Sequence, residues 1–123
     1  MEYVRGDLDC VLIGLCSIKY TSLEDIKNII EKGVDVNAYD NEALFNALQN
    51  GRLDIAKYLI EKGSDLNRVK NCALYSCAIN AHFETVKYLI ENDADMDSLD
   101  DFVKNHETRC KIFEYIKLKQ SQK

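Results

Sequence analysis

The sequence predicts an all-α solenoid of stacked helix-turn-helix repeats with capping helices at both ends, and three observations carry that reading. One motif stands three times at a fixed spacing of thirty: LEDIKNIIEKGVDVN from Leu23, LDIAKYLIEKGSDLN from Leu53 and FETVKYLIENDADMD from Phe83. The helix in each copy is apolar around most of its girth, which suits a helix held between neighbours. Each copy also closes on the same turn signal. The units are read as about 8–37, 38–67 and 68–97, with a C-terminal cap over 98–119, and 1–123 as a single domain.

At 100° per residue, Asp54, Lys57 and Glu61 fall in one narrow polar stripe of the second copy. Leu53, Ile55, Ala56, Tyr58, Leu59 and Ile60 cover the rest, too much for a simple surface helix. The third copy repeats this with Glu84, Lys87 and Glu91 as its stripe, and Asp54–Lys57 and Glu84–Lys87 are expected to pair along it. The first copy carries Asp25 and Asn28 where the second has Ile55 and Tyr58. That flank should face the preceding repeat. Asp25 and Asn28 are therefore expected to be exposed, and Tyr58 and Tyr88 largely buried.

Gly33 and Gly63 follow the last apolar turn, where a left-handed residue ends a helix, and Asp93 takes that place in the third copy. Asp35 with Asn37, and Asp65 with Asn67, can then bond neighbouring backbone amides and fix the next turn. The shorter helices share Ala43-Leu44 and Ala73-Leu74, again thirty apart, followed by small Ala47, Cys77 and Ala78 that admit a close neighbour. Gly51 turns the chain into the second helix, with Thr21 and Ala81 in its place elsewhere. Ser22 and Asp25 have capping spacing, as do Ser98 and Asp101.

The stretch ALFNALQNGRLDIAKYLIEKGSDLN resembles an ankyrin repeat through Leu44, Ala47, Gly51, Leu59, Gly63, Asp65 and Asn67. Two departures stand beside the match. The family's Thr-Pro-Leu-His reads Glu42-Ala43-Leu44-Phe45 and Cys72-Ala73-Leu74-Tyr75, and the unit is short in the loop that would form a projecting hairpin. Short, proline-free repeats worded like these are similar to ankyrin arrays of giant DNA viruses. The resemblance implies a protein-binding module that uses its concave side.

The flanks complete the elements. An amphipathic run from about Leu8 to Lys19, apolar at Leu8, Val11, Leu12, Leu15 and Ile18, reads as a degenerate first helix. Leu99, Phe102, Val103, His106, Cys110, Phe113 and Ile116 recur at helical spacing and read as the C-terminal cap, in one helix or two.

Composition excludes several functions. A net charge of -5 speaks against nucleic acid, which demands a basic face. The run Val11 to Ile18 is too short to span a bilayer, and no signal-peptide pattern opens the chain, so a soluble intracellular protein without membrane partners is expected. Five glycines scattered singly make no phosphate loop. His106 and Cys110 could share a helix face, but two ligands are too few for structural zinc. His82 follows the turn position and reads as structural. No catalytic residue, cofactor or metal is expected.

What remains is a surface. Opposite the Leu44 face lie Asn46, Gln49 and Asn50; the next repeat offers Ser76, Ile79 and Asn80, and the preceding turn Lys19 and Tyr20. These eight are the candidate partner-binding residues, with Ile79 the apolar anchor. A monomeric, non-catalytic module binding another protein is favoured over a homo-oligomeric structural element or an adaptor that redirects a host protein.

Cys10, Cys16, Cys72, Cys77 and Cys110 include no CxxC pair, and an odd count fits reduced thiols. Thiol titration of denatured, unreduced protein should therefore return five; a lower count means a disulfide.

Overall fold

The computed structural model describes residues 5–99 and, beyond them, 114, 115, 118, 119 and 121. Six helices follow in order within 5–99: α1 (Arg5–Cys16), α2 (Leu23–Glu31), α3 (Ala38–Gln49), α4 (Leu53–Glu61), α5 (Leu66–Ile79) and α6 (Phe83–Glu91). A 3-10 turn, Met96–Leu99, comes after them. There is no strand among the described residues. Helices α1, α3 and α5 pack side by side as one row; α2, α4 and α6 back them as a second.

Local signals set the ends. The Ser22 hydroxyl accepts from the Asp25 N–H at 3.2 Å and caps α2. Gly33, Gly63 and Asp93 all have positive φ, at 91°, 111° and 68°, and end the outer helices as their spacing foretold. In the loops beyond, the carboxylates of Asp35 and Asp65 accept from the N–H of Asn37 and Asn67 at 2.9 and 3.0 Å.

The core follows the thirty-residue period with one phase shift. Leu44, Leu48, Leu74 and Ala78 are buried at matching positions of α3 and α5. In α1 the buried residues are Leu12 and Cys16, thirty-two positions before Leu44 and Leu48. The turn Ser17 to Ser22 absorbs the two extra residues, so α1 is a repeat helix out of phase. Val11 and Ile18, read from the sequence as part of its apolar face, are exposed.

Position 25/55/85 shows which way the layers stack. Asp25 is exposed, whereas Ile55 and Thr85 are buried beneath the preceding unit. Position 28/58/88 corrects the expectation of deep burial. Asn28 is exposed as foreseen, but Tyr58 and Tyr88 are only half-buried. A lysine of the preceding repeat covers each ring, with Lys27 Nζ 5.4 Å from the Tyr58 centroid and Lys57 Nζ 5.3 Å from that of Tyr88. Such a ring can keep its hydroxyl wet while the lysine stem shields its face.

A second correction concerns the polar stripe. Asp54 takes Arg52 as its ionic partner, at 2.9 Å, rather than Lys57. In the first repeat the i,i+3 pair does form, between Glu24 and Lys27 at 4.0 Å.

Hydrogen bonds join the repeats in series. The Asp35 N–H donates to the Asp9 carboxylate at 2.7 Å, Asp65 N–H to Asn41 Oδ1 at 2.9 Å, and Asp95 N–H to Asn71 Oδ1 at 2.7 Å. Asp9, Asn41 and Asn71 keep the same phase shift as the core, thirty-two then thirty residues. In α3 this placement goes with left-handed backbone at Tyr39, Asp40 and Asn41, so right-handed winding starts at Glu42. Asp and Asn tolerate that region better than other side-chain-bearing residues.

Asn41 is 4% exposed, and removing its side chain strands the Asp65 N–H. Asn41→Ala should cost about 1–3 kcal/mol in urea denaturation. Asn67→Ala, at an exposed position, should stay within about 0.5 kcal/mol of the parent.

Candidate functional site

The inner helices end at one edge of the stack, and their last carbonyls need donors. Asn46 Nδ2 donates to the Ile13 carbonyl at 3.2 Å and Asn50 Nδ2 to that of Cys16 at 3.1 Å. The Cys77 thiol donates to the Leu48 carbonyl at 2.9 Å. Two of the three candidate amides on α3 thus hold the repeats together.

The turns at this edge are fastened by Arg52. Its Nε and Nη2 donate to the two carboxylate oxygens of Asp54 at 3.1 and 2.9 Å, while Nη1 donates to the backbone carbonyls of Lys19, at 3.1 Å, and Thr21. The guanidinium hydrogen bonds hold the Asp54 carboxyl below its usual range. The sequence reading gave Arg52 no role. His82 stands thirty residues on, beside the Gln49 backbone and over Gly51. A Cβ at Gly51 would lie 2.5 Å from the imidazole, and φ there is 72°, so glycine is required twice over.

Four of the eight candidate residues meet. Lys19, Gln49, Asn50 and Asn80 line a cleft of about 360 Å³ whose fifth wall is His82. Ile79 is 50% exposed one residue before Asn80, and Tyr20 is 86% exposed beside Lys19. Asn46 and Ser76 are half-buried and do not line the cleft.

Sequence reasoning missed two aromatic residues on this row. Tyr75 is 37% exposed and precedes Ile79 by four residues, so the two share a helix face. Phe45, half-buried, takes the same place on α3. The signal was available: an aromatic follows Ala-Leu in both repeats, thirty residues apart.

Nucleophilic chemistry finds no footing in the buried thiols. Burial pushes Cys16 and Cys77 up to about 12, far from thiolate formation at neutral pH. Cys10 and Cys72 are exposed and unpaired with another sulfur. Cys110 and His106 lie outside the described residues, as does most of the expected C-terminal cap. From that segment Tyr115 stacks edge-on against Phe83, with centroids 5.7 Å apart. No three potential metal ligands gather among the described residues, and no described helix is long and apolar enough to cross a membrane.

A fold of three stacked helix pairs with a regular ladder has a counterpart among known families. Residues 13–100 match the family model for ankyrin repeats in three copies. The chain belongs to the ankyrin repeat family. A comparison with curated proteins finds no match. Ankyrin repeats are generally protein–protein interaction modules and typically non-catalytic.

His82 should make this edge sensitive to acid. Burial, then the positive charge of Lys19, hold its pKa below the ordinary 6.5, with the Gln49 backbone pulling the other way. The unfolded chain therefore binds a proton at higher pH than the folded one. Stability should be full above about pH 6.5 and decline as pH falls through the depressed folded value. Chemical denaturation between pH 7.5 and about 5 should show a smaller decline for His82→Gln, measured against the carboxylate background common to both proteins.

Proposed function

We propose that this chain is a non-catalytic interaction module that binds a partner protein through the concave face formed by the inner helices. The observation that carries the proposal is an apolar centre beside a polar cleft. Ile79 and Tyr75 present exposed hydrophobic surface on α5, and Lys19, Gln49 and Asn80 stand next to it at the cleft. An apolar anchor rimmed by hydrogen-bonding groups is the arrangement protein interfaces use. Asn46 supports the face from below through its bond to α1, and Asn50 bonds α1 while also lining the cleft. Tyr20, exposed beside Lys19, and the half-buried Ser76 between Tyr75 and Ile79 in sequence complete the proposed surface.

The test is a comparison of partners captured from cell extract by parent and variant, followed by titration of the partner that differs. Ile79→Arg places a charge at the anchor of a half-exposed position and should leave the helical circular dichroism unchanged. Binding should weaken by about 2 kcal/mol or more, roughly thirtyfold in Kd. Glu61→Lys on the exposed outer stripe should leave affinity unchanged. Equal binding by parent and Ile79→Arg places the interface elsewhere.

A further inference from the structure

We propose that the cleft between Lys19 and His82 receives a single carboxylate of the partner, an Asp or Glu side chain seated beside the apolar anchor. The proposal rests on the interaction face described above and names what that face recognises at its polar end. Its lining is rich in donors and holds no acid: one ammonium, one imidazole and the primary amides of Gln49, Asn50 and Asn80. This is conspicuous in a chain with 21 acidic residues against 16 basic ones.

No acid among the described residues pairs with the cationic group there. The ion pairs among the described residues use Lys27, Arg52 and Arg68, not Lys19. Lys19 Nζ lies 5.8 Å from the centroid of the neighbouring Tyr20 ring, an exposed contact that leaves its three N–H groups available. Gln49 and Asn80 each add two amide N–H donors. Asn50 has one of its own committed to the Cys16 carbonyl.

The arithmetic of charge favours a carboxylate over a phosphoryl group. Bidentate recognition of a phosphoryl group favours guanidinium groups, and a dianion calls for more than one cation. Arg52, the arginine at this edge, has its Nε, Nη1 and Nη2 engaged by Asp54, Lys19 and Thr21. One lysine and a set of amides match one negative charge with two acceptor oxygens. Helix dipoles at this edge oppose one another, because α3 and α5 end where α4 and α6 begin.

His82 reports occupancy. The charged groups on the two hollows it borders are Lys19, from the turn after α1, and Glu84, from α6; α3 and α5 bring only amides. The positive Lys19 now disfavours its protonation, and a bound carboxylate would offset that charge.

The experiment is an NMR titration of the full chain with a blocked Leu-Glu-Leu peptide at tens of millimolar, against its Leu-Gln-Leu counterpart. The glutamate peptide should shift the side-chain amide signals of Gln49 and Asn80 and raise the His82 pKa; the glutamine peptide should do neither. Lys19→Ala, at an exposed position, should raise the His82 pKa of the free protein and remove the peptide-induced response, with the backbone amide spectrum away from residue 19 and His82 unchanged. Equal shifts from both peptides, no shift from either, or a response that survives Lys19→Ala overturns the carboxylate. So does inorganic phosphate, if it shifts the same signals more strongly than acetate does. The two readings fail separately. A captured partner that loses affinity on Ile79→Arg but not on Lys19→Ala retains the face and removes its acidic specificity.

Discussion

A nine-residue helix cannot hold itself together in water, and α2, α4 and α6 are all nine residues long. Isolated helices shorter than roughly 12–15 residues are marginal even with favourable sequences. Each repeat must therefore be stabilised by its neighbours. That requirement explains the burial of Ile55 and Thr85 and the exposure of Asp25 at the same position. It also explains why the repeats need a register device. Apolar contacts alone would tolerate sliding, whereas the Asp9, Asn41 and Asn71 acceptors each fit one backbone N–H of the next unit.

The same constraint shapes the functional edge. Helix ends leave carbonyls without partners, and a stack can satisfy them across repeats. Asn46, Asn50 and Cys77 do so on the inner row, and Arg52 does so for the turn. Only the groups left over can recognise anything else. Gln49, Asn80 and Lys19 surround the cleft with donors, and Ile79 with Tyr75 supply apolar surface. On the proposed function, recognition uses what stacking does not consume.

Much of the fold was legible because helix periodicity and turn chemistry are local. The glycine and aspartate ends, the Ser22 cap and the Asp-x-Asn turns follow from side chains within three residues of one another. Stacking direction was legible too, through the polar substitutions at Asp25 and Asn28. The phase shift of α1 was not, because Leu8, Val11, Leu12, Leu15 and Ile18 form one broad apolar face. The contacts that fix its phase, Asp9 with Asp35, Ile13 with Asn46 and Cys16 with Asn50, join residues distant in sequence. Tyr58 misled because periodicity registers an aromatic as core, although lysine stems can cover a ring that stays partly wet. At the site, sequence pattern found the row but not which amides point inward. Asn46 and Gln49 look alike in sequence, yet one bonds α1 and the other lines the cleft.

The charge of the chain divides the labour on this face. With a net charge of -5, the chain's overall field is repulsive to acids and is screened over a Debye length of about 8 Å. Long-range steering therefore cannot bring an acidic segment to the inner helices quickly. Attraction from Lys19 acts only once the segment is in contact, where local charge outweighs the screened remainder. On the proposed binding mode, affinity comes mainly from the apolar surface at Ile79 and Tyr75, and the cleft contributes by rejecting side chains that cannot accept its donors. An isostere without charge would leave the ammonium and amides poorly matched, so discrimination at the polar end does not depend on how much area the apolar end buries. The face is thereby suited to selective binding at ordinary encounter rates rather than to fast electrostatic capture.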